Sequence, residues 1–286
     1  MATFSETLLA NEVPVRLGFF FGILVLVGLW EIIAPRRALT ASKGVRWLNN
    51  LGVVILNSLV VRVTFPLVAV GMAIEAQQRG WGLLNLVELP DWLALVIAVA
   101  ALDLVIYMQH VMVHAVPLFW RLHRMHHADL DFDVTTGARF HPVEIILSMG
   151  IKLATVVLLG APPVAVLIFE VVLNGTAMFN HGNIRLPLGL DRVLRWVVVT
   201  PDMHRVHHSS EDDEANSNFG FNLPWWDRLF GTYRAQPRLG HDQMIIGTPA
   251  FRDEKQCATL GGMLLMPFAR HKSDAAVRGR FSGEHR

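Results

Sequence analysis

Apolar residues in this chain come in long runs rather than in alternation with polar ones. Residues 13–34 are almost continuously apolar, with Arg16 and Glu31 near the ends, and the run stops at Pro35. At about 1.5 Å per helical residue, such a run matches a hydrocarbon core of about 30 Å. A second run covers 48–76 and is interrupted by Arg62; a third covers 89–107, opens with Pro90 and Asp91 as a helix start, and contains Asp103. Two shorter runs, 143–159 and 164–179, flank Ala161-Pro162-Pro163 and are near the lower length for a crossing, so they read as two spans or as a re-entrant hairpin. The pattern predicts an all-α, multi-pass transmembrane helix bundle with five crossings. Residues 190–200 read as an amphipathic helix near the headgroups, 258–268 as an interfacial helix too short to span, and 270 onward as a solvated tail.

Composition supports the membrane reading: of 286 residues, 52% are hydrophobic and 17% charged. A net charge of +1 gives no basic field for nucleic acid. The first dozen residues lack the basic n-region and small-residue cleavage site of a secretory signal, so the first run reads as a retained anchor. Four positive charges, Arg36, Arg37, Lys43 and Arg46, lie between the first two runs. With the N-terminus outside, this loop and all the histidine clusters fall on the cytoplasmic side. The absence of a terminal retention signal makes a bacterial inner membrane the default.

A lone Cys257 can build neither a disulfide nor a thiolate metal site, so any metal must be held by nitrogen and oxygen. Thirteen histidines supply the nitrogen. They are patterned: His110-Val-Met-Val-His114 ends the third run, and the pattern H-x-x-H-H occurs twice, as His123, His126, His127 and as His204, His207, His208. On a helix, positions i, i+3 and i+4 share a face, while adjacent residues diverge by about 100°. One short segment can therefore offer imidazoles to two neighbouring ions. A structural zinc takes four ligands and a catalytic zinc three, so eight or nine histidines point to two metals in one pocket. Imidazole suits iron, zinc, copper and nickel alike. No H-E-x-x-H is present.

The motifs together resemble the fatty acid hydroxylase/sterol desaturase superfamily. They are the three histidine boxes in order, Arg139-Phe-His141-Pro142-Val-Glu144, Asn180-His181-Gly-Asn183, Asn218-Phe219-Gly220 and Trp226-Asp227-Arg-Leu-Phe230-Gly231-Thr232. The likeness covers about 103–232. It implies a membrane-bound, non-haem di-iron oxygenase that uses O₂ and external electrons to hydroxylate or desaturate a lipid. Carried over residue by residue, the implied ligands are His110, His114, His123, His126, His127, His204, His207 and His208, with His181 as a ninth. The implied organisation is an N-terminal transmembrane region at 1–88 with two crossings, a hydroxylase-like catalytic domain at 89–235 with three, and a C-terminal interfacial segment and tail at 236–286. With no nicotinamide or flavin fingerprint, the electrons are expected from a separate ferredoxin or cytochrome.

Around these ligands, Asp103 sits seven residues before His110 on the same face, where it could orient box one or pair elsewhere. His141 precedes Pro142 at a helix start and reads as a cap or as support for a ligand; Glu144 could cap the same helix or orient a ligand histidine. Asp202 could support box three or belong to a solvated acidic loop. Within the apolar runs, Lys152 is expected to snorkel and Arg62 to pair with Glu170. Trp225, Trp226 and Phe230 are expected to pack the cap, and His241, His271 and His285 to lie on the surface. Rival readings are a metal-binding or metal-transport membrane protein and a haem carrier. The first would hold its ligands near the bilayer midplane, and the second would leave most of the boxed histidines unused.

Overall fold

The computed structural model describes residues 3–269. Among the described residues the chain is mostly helical, and β structure is confined to three isolated bridges. In order, the helices are α1 Phe4–Ala10, α2 Glu12–Ile33, α3 Lys43–Thr64, α4 Ala69–Gln78, α5 Asp91–Ala115, α6 Pro117–His127, α7 Pro142–Leu159 and α8 Pro163–Asn180. Shorter pieces follow: α9 Leu188–Leu194, α10 Pro201–His207, α11 Asp212–Ala215, α12 Trp225–Leu229, α13 Gly240–Gln243, α14 Glu254–Ala258 and α15 Leu260–Leu265.

Five stretches are long and apolar enough to cross a membrane: Glu12–Ile33, Lys43–Asn85, Asp91–Ala115, Pro142–Leu159 and Pro163–Asn180. Their outward faces are apolar, as at Phe21, Ile55, Val63 and Val96, which suits contact with lipid. The second run is not one helix. Pro66 cannot continue α3 and restricts Phe65 before it; α3 therefore ends at Thr64, and α4 packs against α7 and α8. Ala69, Ala73 and Ala98 let these helices approach closely around Leu102, Val166 and Phe169 in the main core.

Several charges lie where the apolar pattern did not place them. Glu170 pairs with Lys152, at 2.7 Å, and with Arg16, at 2.5 Å, rather than with Arg62; Lys152 is therefore tied to a neighbouring helix instead of snorkelling. The amphipathic stretch after α8 forms only Leu188–Leu194, because Arg195 turns inward to Asp191 and the Ala235 carbonyl. The expected interfacial helix at 258–268 is one short helix, α15, and a 3₁₀ turn, with α14 ending at Ala258. Thr259 accepts from Gly262 N–H to start α15, whose Met263 is buried with Met266 against α3 and α6.

Candidate metal centre

Three elements deliver the histidines. α5 runs past its apolar length to carry His110 and His114 at its end; α6, opened by Pro117 at its first position, carries His123, His126 and His127 on its last turns. α10 starts at Pro201 with Thr200 capping Met203 N–H, and it carries His204 and His207, followed by His208. α8 adds His181 at its C-terminal cap. All nine are buried.

They sort into two groups that share no member. His110, His114, His123, His127 and His207 form one, and His126, His181, His204 and His208 the other; within each, one nitrogen per ring lies within 4.8 Å of all the rest. The adjacent pairs in both H-x-x-H-H boxes are divided between the groups, as the divergence of neighbouring positions on a helix requires.

Hydrogen bonds at the back of the rings show which nitrogen faces inward. His110 Nδ1 donates to the Phe219 carbonyl at 2.7 Å, His123 Nδ1 to Glu144 Oε1 at 2.6 Å, His207 Nδ1 to the Ser217 carbonyl at 2.8 Å and His181 Nδ1 to the Ala177 carbonyl at 2.7 Å. Each such ring keeps a bare lone pair on Nε2. Yet His110 Nε2 and His123 Nε2 lie 3.2 Å apart, and His181 Nε2 lies 3.1 to 3.2 Å from the Nε2 atoms of His126, His204 and His208.

Protons do not resolve this crowding. Burial, reinforced by the neighbouring imidazoles, holds His126, His127, His204 and His208 well below the usual histidine range. Burial pushes His181 and His207 down to about 3. Neutral lone pairs converging at this spacing fit nitrogens that share a cation at about 2.0–2.1 Å each. Nδ1 of His126, His204 and His208 and Nε2 of His207 are buried with no protein partner. The donor set therefore suits two ions bound by neutral imidazole.

Of the supporting residues, Glu144 bonds a ligand histidine directly. Asp103 does not; its Oδ2 accepts from Trp226 Nε1 at 2.7 Å. His141 accepts from Val143 N–H at 3.2 Å as the cap of α7 and lies outside both groups. Asp202 pairs with Arg205, inside box three, and lies 3.4 Å from Arg36 and 3.6 Å from His241 rather than bonding a boxed histidine. His241 is accordingly buried and not on the surface; His271 and His285 lie outside the described residues. Trp226 and Phe230 meet α5, Phe230 stacking on Tyr107 at 5.5 Å, while Phe230 and Trp225 are both about half exposed.

Two features escaped the sequence. Arg46 makes ion pairs with Asp129 and Asp133, all fully buried, and Arg139 approaches Asp129 at 3.4 Å. Asp227 accepts from Phe219 N–H, Gly220 N–H and Thr232 Oγ1 at 2.7 to 2.9 Å, fixing the loop whose carbonyl orients His110. Asp227 stands in a recognised motif; Arg46 carries no local signal.

A cavity of about 350 Å³ adjoins the first group. His110, His123 and Phe140 line it, together with Val61, Leu173 and Phe20 of the membrane helices.

Residues 95–232 match the family model described as fatty acid hydroxylase. The matched segment, just under half of the chain, is similar to the fatty acid hydroxylase family and holds both histidine groups whole. Among curated relatives, an ornithine lipid hydroxylase of Rhizobium tropici is 33% identical over 133 residues, covering 46% of this chain and 39% of the relative. An alkylglycerol monooxygenase of Xenopus tropicalis is 30% identical over 162 residues, covering 54% and 34%. A very-long-chain aldehyde decarbonylase of Oryza sativa is 32% identical over 167 residues, covering 53% and 26%. The chain thus spans well under half the length of these relatives. No solved structure matches it.

Proposed function

We propose that this chain is a membrane-bound lipid oxygenase whose nine buried histidines hold two iron ions and whose cavity takes a hydrophobic substrate from the bilayer. The observation that carries the reading is the junction of the two: neutral imidazoles converge in two groups, and His110 and His123 of one group line a mostly apolar cavity set among membrane-spanning helices. Relatives named as lipid hydroxylase and alkylglycerol monooxygenase favour the same chemistry.

His110, His114, His123, His127 and His207 are proposed to hold one ion, and His126, His181, His204 and His208 the other. Bound there, a pair of irons supplies the activation of O₂ needed to attack an unactivated C–H bond, with electrons from outside. The chain itself contributes the rest. Phe219, Ser217, Ala177 and Glu144 fix ring orientation by accepting from Nδ1, leaving Nε2 basic and directed inward. Phe140, stacked on His126 at 4.4 Å, and Phe221, beside His110 at 4.8 Å, shield the pocket from water. Val61, Leu173 and Phe20 bind the hydrocarbon, presenting one carbon beside the first group. The outcome is an inserted oxygen or the loss of two hydrogens.

The catalytic unit is taken as 89–235, and electrons come from a separate ferredoxin or cytochrome. The basic loop at 36–46 favours a cytoplasmic position for the histidines in a bacterial inner membrane.

The test pairs metal analysis of the detergent-purified chain with lipid mass spectrometry of cells expressing wild type or His127→Ala. The expected result is about two irons per chain and a lipid shifted by one oxygen or two hydrogens, absent with the variant. Stoichiometric metal with no altered lipid, together with His127-dependent metal uptake by the cells, would replace this reading with transport.

A further inference from the structure

The short helix α12 divides its side chains between two faces. Asp227 is fully buried under the loop whose Phe219 N–H and Gly220 N–H it accepts, and Trp226 donates to Asp103 at 2.7 Å. Trp225 and Leu229, four apart and therefore on one face, are 50% and 69% exposed. Phe230 follows, stacked on Tyr107 yet also half exposed.

The depth of this face is set by α5. Asp103 is the thirteenth of the 25 residues of that helix, about 18 Å from either end, and Tyr107 lies one turn further on. α12 therefore runs alongside the membrane-spanning part of α5, where Met108 and Val96 are exposed as well. α9 continues the surface: Leu188 and Val193, with Trp196 just after the helix, are exposed. Trp225 Nε1 donates to the Trp196 carbonyl at 2.6 Å, and the Arg228 guanidinium lies over the rings of Trp196 at 3.9 Å and Tyr233 at 4.0 Å. Apolar side chains gathered on one face mark an interaction surface, and an edge of Trp, Tyr and Arg is the composition of a membrane–water interface.

We infer that α9 and α12 form a wedge seated in the lipid leaflet beside the histidine-bearing half of α5, and that this seat positions the loop behind His110. The partner is the bilayer itself, whose contact with α5 the wedge extends. Asp227 stands on the face of α12 opposite Trp225 and Leu229, so lipid that holds those two side chains also holds the carboxylate against the Phe219 and Gly220 amides. The Phe219 carbonyl in turn accepts from His110 Nδ1. Trp225 and Leu229 are thus positioning residues that act through Asp227. The inference goes beyond the oxygenase reading and needs only the membrane spans and this loop.

Spin labels on the full chain in nanodiscs of phosphatidylcholine and phosphatidylglycerol test the seat. They are placed by Leu229→Cys and Val193→Cys, with Val96→Cys on α5 as the lipid reference and Lys255→Cys on α14 as the water reference; the single native thiol, Cys257, is buried. The labels on α12 and α9 are expected to collide with oxygen more than with a water-soluble nickel chelate, as on α5 and opposite to α14. Collision with the chelate at the α14 level would put the face in water and overturn the inference. Shielding from both reagents, with spin–spin broadening between copies, would put a second chain there and overturn it equally. Hydrogen exchange in the same nanodiscs tests the positioning. A charge in hydrocarbon is costly, so Leu229→Glu is expected to lift α12 and speed exchange of the Phe219 and Gly220 amides roughly tenfold or more, the scale of one lost hydrogen bond to a charged acceptor. Leu229→Met is expected to exchange as wild type, and the α14 amides to be unchanged in both. Wild-type exchange at Phe219 and Gly220 in Leu229→Glu would overturn the positioning role. Neither readout depends on turnover or bound metal, so their failure leaves the oxygenase reading standing, and a chain without lipid oxidation leaves the wedge standing.

Discussion

The guanidinium of Arg46 meets the carboxylate of Asp129 at two points, Nε to Oδ1 at 2.7 Å and Nη2 to Oδ2 at 2.8 Å, with both side chains sealed from solvent. Asp129 stands two residues after His127, so this fork ties the second membrane-spanning segment to the end of the H-x-x-H-H box. Burial alone would raise the Asp129 pKa, but the charges of Arg46 and Arg139 outweigh it and hold the carboxyl well below the ordinary carboxylate range. Thr136 Oγ1 donates to the same carboxylate at 2.8 Å, extending the tie to the segment before α7.

Arg46→Ala would leave Asp129 and Asp133 buried and short of a counter-charge. Breaking a buried pair from one side costs about 3–5 kcal/mol, far more than an exposed pair is worth. The variant is expected to unfold at clearly lower temperature in detergent and to retain less metal. Arg46→Lys should recover little, because an ammonium cannot serve both oxygens in a fork. Thermal melts followed by circular dichroism decide it; unchanged melting of Arg46→Ala would reject the structural role.

This pair also marks how much the sequence disclosed. The apolar runs and the i, i+3, i+4 histidine spacing are local patterns, so the bundle, the nine histidines and their division between neighbouring faces were legible. Arg46 was read as one of four loop charges, because pairing across more than eighty residues leaves no local trace. Asp103 had two readings, orienting box one or pairing elsewhere, and its bond to Trp226, 123 residues away in sequence, takes the second. His241 looked like a surface residue among polar neighbours, and only the packing of α13 near Asp202 buries it.

Gly137 is a site where one methyl should disturb the four-histidine group. A Cβ there would stand 2.4 Å from the Ala177 carbonyl oxygen and 3.0 Å from His181 Nδ1, the two atoms joined by the hydrogen bond that orients His181. Backbone cannot give way as a flexible side chain does, and overpacking typically costs about 1–3 kcal/mol. Gly137→Ala is expected to lower bound metal selectively at the His181 group, read by metal analysis. Full metal content would mean that α8 shifts freely.

Acid should destabilise the metal-free chain in a defined window. Burial depresses His181 and His207 to about 3 and His241 to about 4, whereas in the unfolded chain each titrates near about 6.5. Between those limits the unfolded state binds more protons, so stability is fully present above about pH 6.5 and is lost as pH falls. With three such groups the slope approaches about 4 kcal/mol per pH unit. Melting temperature measured against pH should hold level above neutrality and fall steeply below about pH 6. A level profile between pH 7 and pH 5 would contradict the burial of these neutral rings.

Asp227→Ala should act on His110 without touching it. The carboxylate holds Phe219 N–H and Gly220 N–H, and the Phe219 carbonyl receives His110 Nδ1. Removing it strands two buried backbone donors at about 1–3 kcal/mol each and releases the loop that sets the ring. Reduced metal affinity in the five-histidine group is expected, measured by competition with a chelator. An affinity equal to wild type would show that the loop keeps its place through Thr232 and Asn218 alone.

The two histidine groups share no residue, which makes their independence testable. His207 and His208 are adjacent in sequence, yet His207 belongs to the five-histidine group and His208 to the other. His208→Ala removes one of four rings from its group, and its site falls below the usual ligand number for a held ion; the group around His110 keeps all five. The expected result is a fall from about two ions to about one per chain with loss of lipid oxidation, because the proposed chemistry draws on both ions. His207→Ala leaves four rings in its own group and should retain metal near the wild-type level. If either substitution emptied both sites together, the nine histidines would have to be treated as one cooperative cluster, and the assignment of ligands to separate ions would fall.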